Sequence, residues 1–247
     1  MTKLKDLSIV IPVYNEAENI LETLKSIKKN IKTSHEIIIV YDRNTDTTLP
    51  VLKKNKKKFN NFIAIKNDIK IGPSGAIRTG INYSSSPRIL VIMADLCDDL
   101  TQVDTLVELV PRKYDIACPS RYTKGGKQEL DSPFKVGFPK VAGLFLRILT
   151  GIKTSDPTNS YKLYSKRVLE RMHLKSTISF SVTLEIIAKT HILNGKIFEI
   201  PTVWKDRQHG KTNFKLGQSI IAYFPWFLFA ISKNRLFNLS FLLKSFI

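Results

Sequence analysis

Three aspartates close together in the chain are the side chains best suited to chemistry. Asp95, Asp98 and Asp99 follow an apolar, β-branched stretch from Arg88 to Met93, which predicts a buried strand. Carboxylates are hard oxygen ligands that suit Mg²⁺ or Mn²⁺ carrying a phosphorylated substrate. They could instead begin a helix over 102–110, because aspartate is favoured at helix N-termini. The stretch alone leaves both interpretations open.

Strands and helices that alternate from residue 7 to residue 110 must position these carboxylates. Each apolar β-rich stretch is followed by a polar turn and then by a helical pattern. This alternation predicts an α/β fold with a mostly parallel sheet flanked by helices, whose strands bind ligands at their carboxyl ends. The predicted strands are Leu7–Val13, Glu36–Val40, Phe62–Ile65 and Arg88–Met93, with helices from Ala17 to Ile31, after Asp42–Thr48, and from Ile71–Gly75 to about Asn82.

The second half of the chain is less regular. Pro201 interrupts the last apolar stretch of this half, so we expect that strand to lie near a sheet edge. The predicted elements are strands at Asp115–Pro119, Tyr161–Tyr164 and Lys196–Trp204, a loop at Thr123–Pro133, and helices at Val141–Leu149 (with Gly151 as its C-cap) and Ser181–Leu193.

The net charge is +18, from 39 Lys and Arg against 21 Asp and Glu, and it indicates a polyanionic partner. Nucleic acid is disfavoured as that partner because the aromatic residues gather at 223–229, beside almost no charge. The lysines from Lys53 to Lys58 are typical of a solvated helix face. Two cysteines outside any CxxC pattern indicate a reducing cytosol. Met1–Asp6 leads directly into a strand, so we expect no signal peptide.

From Leu216 onward the chain becomes almost wholly apolar. Residues 220–231 are rich in aromatic side chains, and after Ser232–Arg235 the apolar character resumes from Leu236 to Ile247. No stretch reaches the ~18 to 20 apolar residues that spanning a membrane requires. Aromatic residues flanked by Lys and Arg are typical of a helix that lies in a membrane interface. We therefore predict an amphipathic interfacial segment at 217–247, with a core or oligomer-contact helix as the alternative.

Ile9–Glu16 (IVIPVYNE) opens a series of motifs that continues to about residue 213. The later motifs are Val40–Asp42 with Thr45–Thr48, Ala94-Asp95, Ser120–Tyr122, Asp156 with Asn159–Tyr161, Glu185, and Pro201 to Thr212. In order and spacing, this series resembles the family-2 glycosyltransferases of GT-A fold. Within that family, it most resembles the dolichyl- and polyprenyl-phosphate sugar synthases.

The resemblance implies a GT-A domain with a Rossmann-like sheet over 1–216, followed by the segment 217–247. Its nucleotide-sugar-binding half would be 1–115 and its acceptor-binding half 116–216. The implied activity is metal-dependent, inverting transfer of a hexose from a GDP-mannose or UDP-glucose type donor to polyprenyl or dolichyl phosphate. The protein would act at the cytoplasmic side of a membrane, peripheral or interfacially anchored. A family-2 transferase with a glycan or another lipid as acceptor, or a catalytically weakened homologue, remains an alternative.

Loss of a nucleoside diphosphate creates negative charge, which a divalent cation stabilises as a Lewis acid. The resemblance implies that Mg²⁺ or Mn²⁺ is held by Asp95. Asp98 lies one residue beyond the family's usual third ligand position and is the candidate substitute for a second ligand, although helix capping competes for it. The residues implied in nucleotide-sugar binding are Pro12, Tyr14, Glu16, Val40, Asp42, Ala94 and Asp95.

An acceptor phosphate is already anionic and nucleophilic, so basic groups need only hold it in line with the sugar. The resemblance implies that Asp95, Arg121 and Arg207 are catalytic. Asp156 and Glu185 would position the donor sugar or brace those arginines, or could equally belong to buried ion pairs. The implied acceptor-phosphate ligands are Arg121, Lys135, Arg207 and Lys211.

Several positions depart from the family pattern. Tyr41 stands where the family has the first Asp of a base-reading pair, Met93 at the first Asp of Asp-x-Asp, and Cys97 where a Gln ligand is common. A thioether is a poor ligand for a hard cation, so we expect a lean metal site. In the acceptor region, Pro139 and Thr212-Asn213 replace Ser and Ser-Lys.

Overall fold

The structure is a computed structural model that describes residues 5–129, 137–207 and 216–232. Within these residues the chain forms a seven-stranded sheet, a two-stranded sheet and flanking helices. The strands are β1 (Leu7–Val13), β2 (His35–Tyr41), β3 (Phe62–Lys66), β4 (Arg88–Val91), β5 (Ile116–Ser120), β6 (Lys127–Glu129), β7 (Lys162–Ser165), β8 (Ile197–Pro201) and β9 (Val203–Lys205). The helices are α1 (Ile20–Asn30), α2 (Thr48–Asn55), α3 (Pro73–Tyr83), α4 (Val103–Arg112), α5 (Gly137–Thr150), α6 (Lys166–Leu169), α7 (Ser181–Ile192) and α8 (Leu216–Ile231).

The large sheet has the strand order β3-β2-β1-β4-β7-β5-β8. β1 to β4 are parallel to one another, and β5 is parallel to β8. β7 runs antiparallel between β4 and β5. Parallel neighbours need crossover connections, which the intervening helices supply. The predicted mostly parallel sheet flanked by helices is confirmed.

Alternate residues of β1 show why helices cover both faces of this sheet. Leu7, Ile9 and Ile11 pack in one core with α1 and α4, while Val10 packs in a second core with α3, α7 and α8. Successive side chains of a strand point to opposite faces, so a strand that is buried on both must be apolar throughout. Gly80 lets α3 approach closely, because a Cβ there would lie 2.2 Å from Val10 Cγ1.

The second half differs in places from the prediction. The stretch Lys196–Trp204 forms two strands that meet at Thr202, whose N–H donates to Ser120 O of β5 and whose carbonyl accepts from Lys127 N of β6, each at 3.0 Å. β8 is the edge strand, as Pro201 predicted, and β9 pairs with β6 in the small sheet. β6 lies inside the predicted loop Thr123–Pro133. Two strands of three residues pair too briefly for their sequence pattern to identify them.

Helix α8 lies within the predicted C-terminal segment, whose residues 233–247 lie outside the described part. It packs against α7 and α5, with Trp226, Phe229 and Ala230 buried in the core. Part of 217–247 is therefore a core helix, as in the alternative interpretation. In the described part of the chain, no helix combines the length and apolarity needed to cross a membrane.

Candidate active site

The carboxyl ends of β2, β1 and β4 lie side by side at one edge of the sheet. Pro12 of β1 is opposite Val40 of β2, and Val10 is opposite Val91 of β4. The turns that follow these strands carry Tyr14–Glu16, Asp42 and Asp95–Asp98, and we call this edge the donor edge. Residues far apart in sequence meet there because parallel strands end on the same side.

The turn after β1 is locked to the turn after β2. Asn15 has a φ of 57°, a left-handed conformation that asparagine tolerates better than most residues. Its N–H donates to Asp46 at 3.1 Å, and the N–H of Glu16 donates to Thr48 Oγ1 at 2.9 Å. Tyr14 is left half exposed. The strand ends therefore hold Glu16 in a fixed place and leave an aromatic face open to a ligand.

The three aspartates after β4 have separate roles. Asp99 is the cap of a short 3₁₀ helix, accepting from Thr101 N at 3.0 Å and from Thr101 Oγ1 at 2.6 Å. Asp98 instead turns back and accepts from Met93 N at 3.3 Å, while Asp95 accepts from Cys97 N at 3.2 Å. The capping interpretation is thus confirmed for Asp99, while cation binding by Asp95 and Asp98 stays a prediction.

Backbone strain marks the same loop. Leu96 has a φ of 62°, which is unfavourable for a bulky residue and persists only where the surrounding structure imposes it. Such strain concentrates at functional sites. Leu96 stands between Asp95 and Cys97, where this turn sets the direction of the Asp95 carboxylate.

The electrostatics of the loop favour a bound cation. Burial, together with the charge of Asp95, raises the pKa of Asp98 to about 7, although the Met93 N–H and the charges of Arg121 and Lys162 oppose the shift. Two carboxylates that repel each other gain from a cation between them. Among the described residues, no cluster of three or more His, Cys, Asp and Glu could hold a metal. Mg²⁺ commonly takes only one or two carboxylates and completes its shell with phosphates and water, so Asp95 and Asp98 fit it.

Cys97 does not add a ligand. Its thiol is buried, and burial together with the charge of Asp95 raises the pKa of the thiol far above its usual range. Sulfur is also a soft ligand that suits a hard cation such as Mg²⁺ poorly. Neither Cys97 nor the thioether of Met93 therefore replaces the oxygen ligands of the family pattern.

Arg207 joins the loop after β9 to the donor edge. Its Nη2 donates to Glu16 Oε1 at 2.7 Å and lies 3.7 Å from Asp95 Oδ2. Burial alone would lower the pKa of Arg207, but the charges of Glu16 and Asp95 outweigh it and raise that pKa. The structure thus brings a predicted acceptor-binding arginine into contact with two residues predicted to bind the nucleotide sugar.

Arg121 is held by Asp156 in a two-pronged ion pair. Nε and Nη2 of Arg121 donate to the two Asp156 oxygens at 2.7 and 2.8 Å, and the Arg121 backbone N–H donates at 3.1 Å. Asp156 is completely buried, whereas the Arg121 side chain is 15% exposed. Of the roles predicted for Asp156, its contacts are those of an arginine brace within a buried ion pair.

The other predicted nucleotide-binding residues are less open than Tyr14. Asp42 accepts from Asn67 Nδ2 at 2.7 Å and from Gly72 N at 2.9 Å, so it ties the loop before α3 to the donor edge. The side chains of Pro12, Val40 and Ala94 are buried. A nucleotide could reach only the backbone of these three residues.

Glu185 lies in a buried ion pair. Its oxygens accept from Lys175 N and Ser176 N, each at 2.7 Å, and lie 2.9 Å from Lys189 Nζ. These contacts match the alternative of a structural ion pair. The predicted acceptor ligands Lys135 and Lys211 lie outside the described residues.

An apolar surface is formed by α5 and α8, which pack against each other, and sequence reasoning anticipated only the part on α8. We call it the α5/α8 face. The signal was present, because positions 141, 144, 145 and 148 follow helical spacing and face one side. The exposed side chains of the face are Val141, Leu144, Phe145 and Ile148 on α5, and Ile220, Ile221 and Phe224 on α8.

Comparison with known proteins identifies the family of this site. Residues 8–172 match the model of glycosyl transferase family 2. A dolichol-phosphate mannosyltransferase from Pyrococcus furiosus is 30% identical over 88% of this chain and 61% of its own length. An undecaprenyl-phosphate 4-deoxy-4-formamido-L-arabinose transferase from Photorhabdus laumondii is 26% identical over 88% of this chain and 66% of its own. The chain thus spans about two thirds or less of the length of these relatives.

A solved structure shows the same fold at lower identity. The glucosyl-3-phosphoglycerate synthase of Mycobacterium tuberculosis, in complex with Mn²⁺, UDP and glucosyl-3-phosphoglycerate, has a TM-score of 0.64 at 17% identity. The match covers 93% of this chain and 80% of that one. The same synthase in complex with Mg²⁺ and UDP also has a TM-score of 0.64. The predicted GT-A fold is confirmed, and the chain belongs to glycosyl transferase family 2.

Proposed function

We propose that this protein transfers a hexose from a nucleotide sugar, of GDP-mannose or UDP-glucose type, to a polyprenyl or dolichyl phosphate at a membrane surface. The observation that carries the proposal is the contact of Arg207 with Glu16 and its approach to Asp95. This contact puts a basic group for an acceptor phosphate beside the carboxylates of the donor edge. The two relatives named above, by their names, act with dolichol phosphate and undecaprenyl phosphate.

On the donor edge, Tyr14, Glu16 and Asp42 would line the base and ribose. Asp95, with Asp98 beside it, would hold Mg²⁺ or Mn²⁺, and the metal would supply Lewis-acid stabilisation of the departing diphosphate. Structures of the synthase that shares the fold contain these metals. The charge of Arg207 lies close enough to Asp95 to act on the same diphosphate.

In the proposed reaction, an oxygen of the acceptor phosphate would attack the anomeric carbon of the sugar. The bond between the anomeric carbon and the diphosphate would break at the same time, which inverts the configuration at that carbon. No general base is required, because the phosphate already carries the negative charge. Arg121 must hold the phosphate in line, and its fork with Asp156 fixes the plane of the guanidinium. Two of the five guanidinium N–H groups of Arg121 donate to Asp156, and the other three would be the donors to the acceptor phosphate.

The α5/α8 face supports a location at a membrane. Ile148 and Ile221 are 70% and 74% exposed, and large apolar side chains grouped on a surface mark an interaction site. Helices of this kind lie in the headgroup region with the apolar side buried. With the net charge of +18, the face suits the anionic cytoplasmic side of a membrane.

Transfer of radiolabelled sugar tests the reaction. The protein is incubated with GDP-mannose or UDP-glucose and with either polyprenyl phosphate or 3-phosphoglycerate, an acceptor of the kind used by the synthase of shared fold. We expect a lipid-soluble, labelled product that depends on Mg²⁺ or Mn²⁺. Label on 3-phosphoglycerate alone, or no transfer from any donor, would refute the proposed acceptor.

Cosedimentation with vesicles tests the location. Removing 217–247 would also remove core residues such as Trp226, so surface substitutions are the better test. Ile148→Asp combined with Phe224→Asp should reduce binding to anionic vesicles by at least about 100-fold, because each buried apolar side chain contributes about 1.5 to 3 kcal/mol. Ile63→Asp, at an exposed position of β3, is the matched control and should bind normally. Equal binding by all variants would refute the membrane role of this face.

A further inference from the structure

A buried lysine, Lys162, lies next to Asp156, the residue that holds Arg121. Lys162 is the first residue of β7, opposite Val91 at the end of β4, and its side chain is completely buried. Lysine is almost never fully buried without partners, because taking an ammonium group out of water is costly. The burial of Lys162 therefore requires hydrogen-bond partners inside the protein.

The partners of Lys162 are backbone carbonyls of a single loop segment. Its Nζ donates to Asp156 O at 3.1 Å and to Asn159 O. Asn159 in turn donates through Nδ2 to Pro119 O of β5 at 3.3 Å, and its Oδ1 accepts from Tyr161 N at 3.2 Å. Lys162 therefore closes the segment 156–159 against the strand that leads to Arg121.

The same segment carries the carboxylate that holds Arg121. Asp156 uses its side chain for the guanidinium fork and its carbonyl for Lys162. Moving the backbone at Asp156 would move both Asp156 oxygens and, with them, the plane of Arg121. Lys162 is thus connected to Arg121 through two successive sets of hydrogen bonds, although none joins the two side chains directly.

We propose that Lys162 is a positioning residue for the acceptor phosphate and that it acts through Asp156 and Arg121. The proposal rests on the proposed function, since Arg121 must be an acceptor ligand for its position to matter. Lys162 does not touch the substrate. Groups that orient metal ligands change affinity or activity about 10- to 100-fold when they are removed, and we take the lower end of that range for Lys162.

Lys189 provides a matched control for a purely structural buried lysine. Its side chain is 9% exposed, its Nζ donates to His173 O, and it forms an ion pair with Glu185 at 2.9 Å. It lies on α7, and the hydrogen bonds of this pair lead to the segment 173–176. Lys162→Met and Lys189→Met therefore remove comparable groups, only one of which is linked to Arg121.

The test is a double-mutant cycle on the full chain. Lys162→Met, Lys189→Met and Arg121→Gln are made singly, and each lysine change is combined with Arg121→Gln. For every variant, Tm, the Kd of a nucleoside diphosphate and the KM of a short-chain polyprenyl phosphate are measured. If Lys162→Met does not fold, Lys162→Gln takes its place. Glutamine keeps a polar amide at the buried position but is shorter and uncharged, so the expected results are the same.

We expect Lys162→Met to raise the acceptor KM about tenfold and to leave nucleotide Kd unchanged. In the Arg121→Gln background, the same change should raise the acceptor KM less than about twofold, because the two residues act as one unit. Lys189→Met should lower Tm without changing either constant.

An unchanged acceptor KM in Lys162→Met, an equal rise in Lys189→Met, or full additivity with Arg121→Gln would overturn the positioning role. If the unmodified protein transfers sugar normally, any of these results rejects the role of Lys162 and leaves the proposed function standing. Failure of the unmodified protein to transfer sugar to polyprenyl phosphate would reject the proposed function, and this role with it.

Discussion

At the donor edge the chain presents carboxylates, whereas the elements after residue 116 bring basic groups to meet them. Glu16, Asp95 and Asp98 lie on turns directly after strands of the parallel sheet. Arg121 follows β5, Lys162 begins β7 and Arg207 lies in the loop after β9, and we call these residues, with Asp156, the acceptor side. Arg121 and Lys162 have partners on their own side of the site, and Arg207 pairs with Glu16 across it, while Asp95 and Asp98 repel each other.

This difference indicates how the two sides would work. Burial and the charge of Asp95 raise the pKa of Asp98, so a cation that arrives with a diphosphate would relieve the repulsion, and the donor edge is completed by its ligand. Arg121 is fixed in advance by Asp156, so little freedom is lost when an acceptor phosphate binds. The variants below separate the two sides, beginning with the largest expected effect.

Asp95→Asn should remove cation binding at the donor edge and leave the ion pair of Arg121 with Asp156 in place. Loss of the principal charged ligand should lower kcat by about 1,000-fold, in the range of removing one group that stabilises a transition state. Binding of a nucleoside diphosphate should lose its dependence on Mn²⁺, as measured by titration calorimetry. Glu36→Gln is the control, because Glu36 bonds Ser8 and Ser85 away from the site and its loss should not affect transfer. Full activity of Asp95→Asn would remove Asp95 from the site.

Asp156→Asn should impair use of the acceptor and leave nucleotide binding unchanged. It removes the charge partner of Arg121 while keeping the side-chain shape, so the guanidinium loses its fixed plane. We expect the acceptor KM to rise about tenfold, nucleotide Kd to remain unchanged, and the free energy of unfolding to fall by about 3 kcal/mol. Enzyme kinetics and denaturant unfolding measure these quantities.

Glu185→Gln is the matched control for that prediction. It breaks another buried ion pair, with Lys189, and should lower stability without raising the acceptor KM. If both variants raise the acceptor KM equally, the fork at Arg121 has no special relation to the acceptor.

The sequence allowed the donor edge to be predicted in more detail than the acceptor side. Glu16 and Asp95 each follow a strand directly, and parallel strands place such turns together without further information. Arg121 is 35 positions from Asp156, and Arg207 is 191 positions from Glu16, so the fold alone decides which residue pairs with which. The hydrogen bonds of Lys162 to the segment 156–159 could not be predicted, because their acceptors are backbone carbonyls, which carry no residue-specific signal. The antiparallel insertion of β7 that creates them was also not visible in a pattern of alternating strands and helices.

The pH dependence of metal-linked nucleotide binding should report on Asp98. Burial and the charge of Asp95 place the pKa of this group at about 7, and a carboxylate must lose its proton to bind a cation. Affinity for a nucleoside diphosphate with Mn²⁺ should therefore rise as pH increases through about 7, and calorimetry should show this step missing in Asp98→Asn.

The stability of the protein without added metal should change in the opposite direction. Because the folded pKa lies above the ordinary value of 3.8, the folded state holds more protons than the unfolded state between pH 3.8 and about 7. The contribution of Asp98 to stability is thus lost as pH rises across that range. Asp98→Asn should flatten the stability curve there, and an identical curve for both proteins would show that Asp98 titrates normally.

The smallest effect is expected at Asp99, the third aspartate of the loop. Its carboxylate accepts from Thr101 N and Thr101 Oγ1, and its carbonyl accepts from Tyr161 Oη at 2.7 Å. Asp99→Ala removes only the cap and keeps the carbonyl, so it should cost about 1 kcal/mol of unfolding free energy. Mn²⁺-dependent nucleotide binding should persist, because capping and metal binding fall to different aspartates. If Asp99→Ala removed the Mn²⁺ dependence while Asp98→Asn retained it, the roles assigned to these two neighbours would be exchanged.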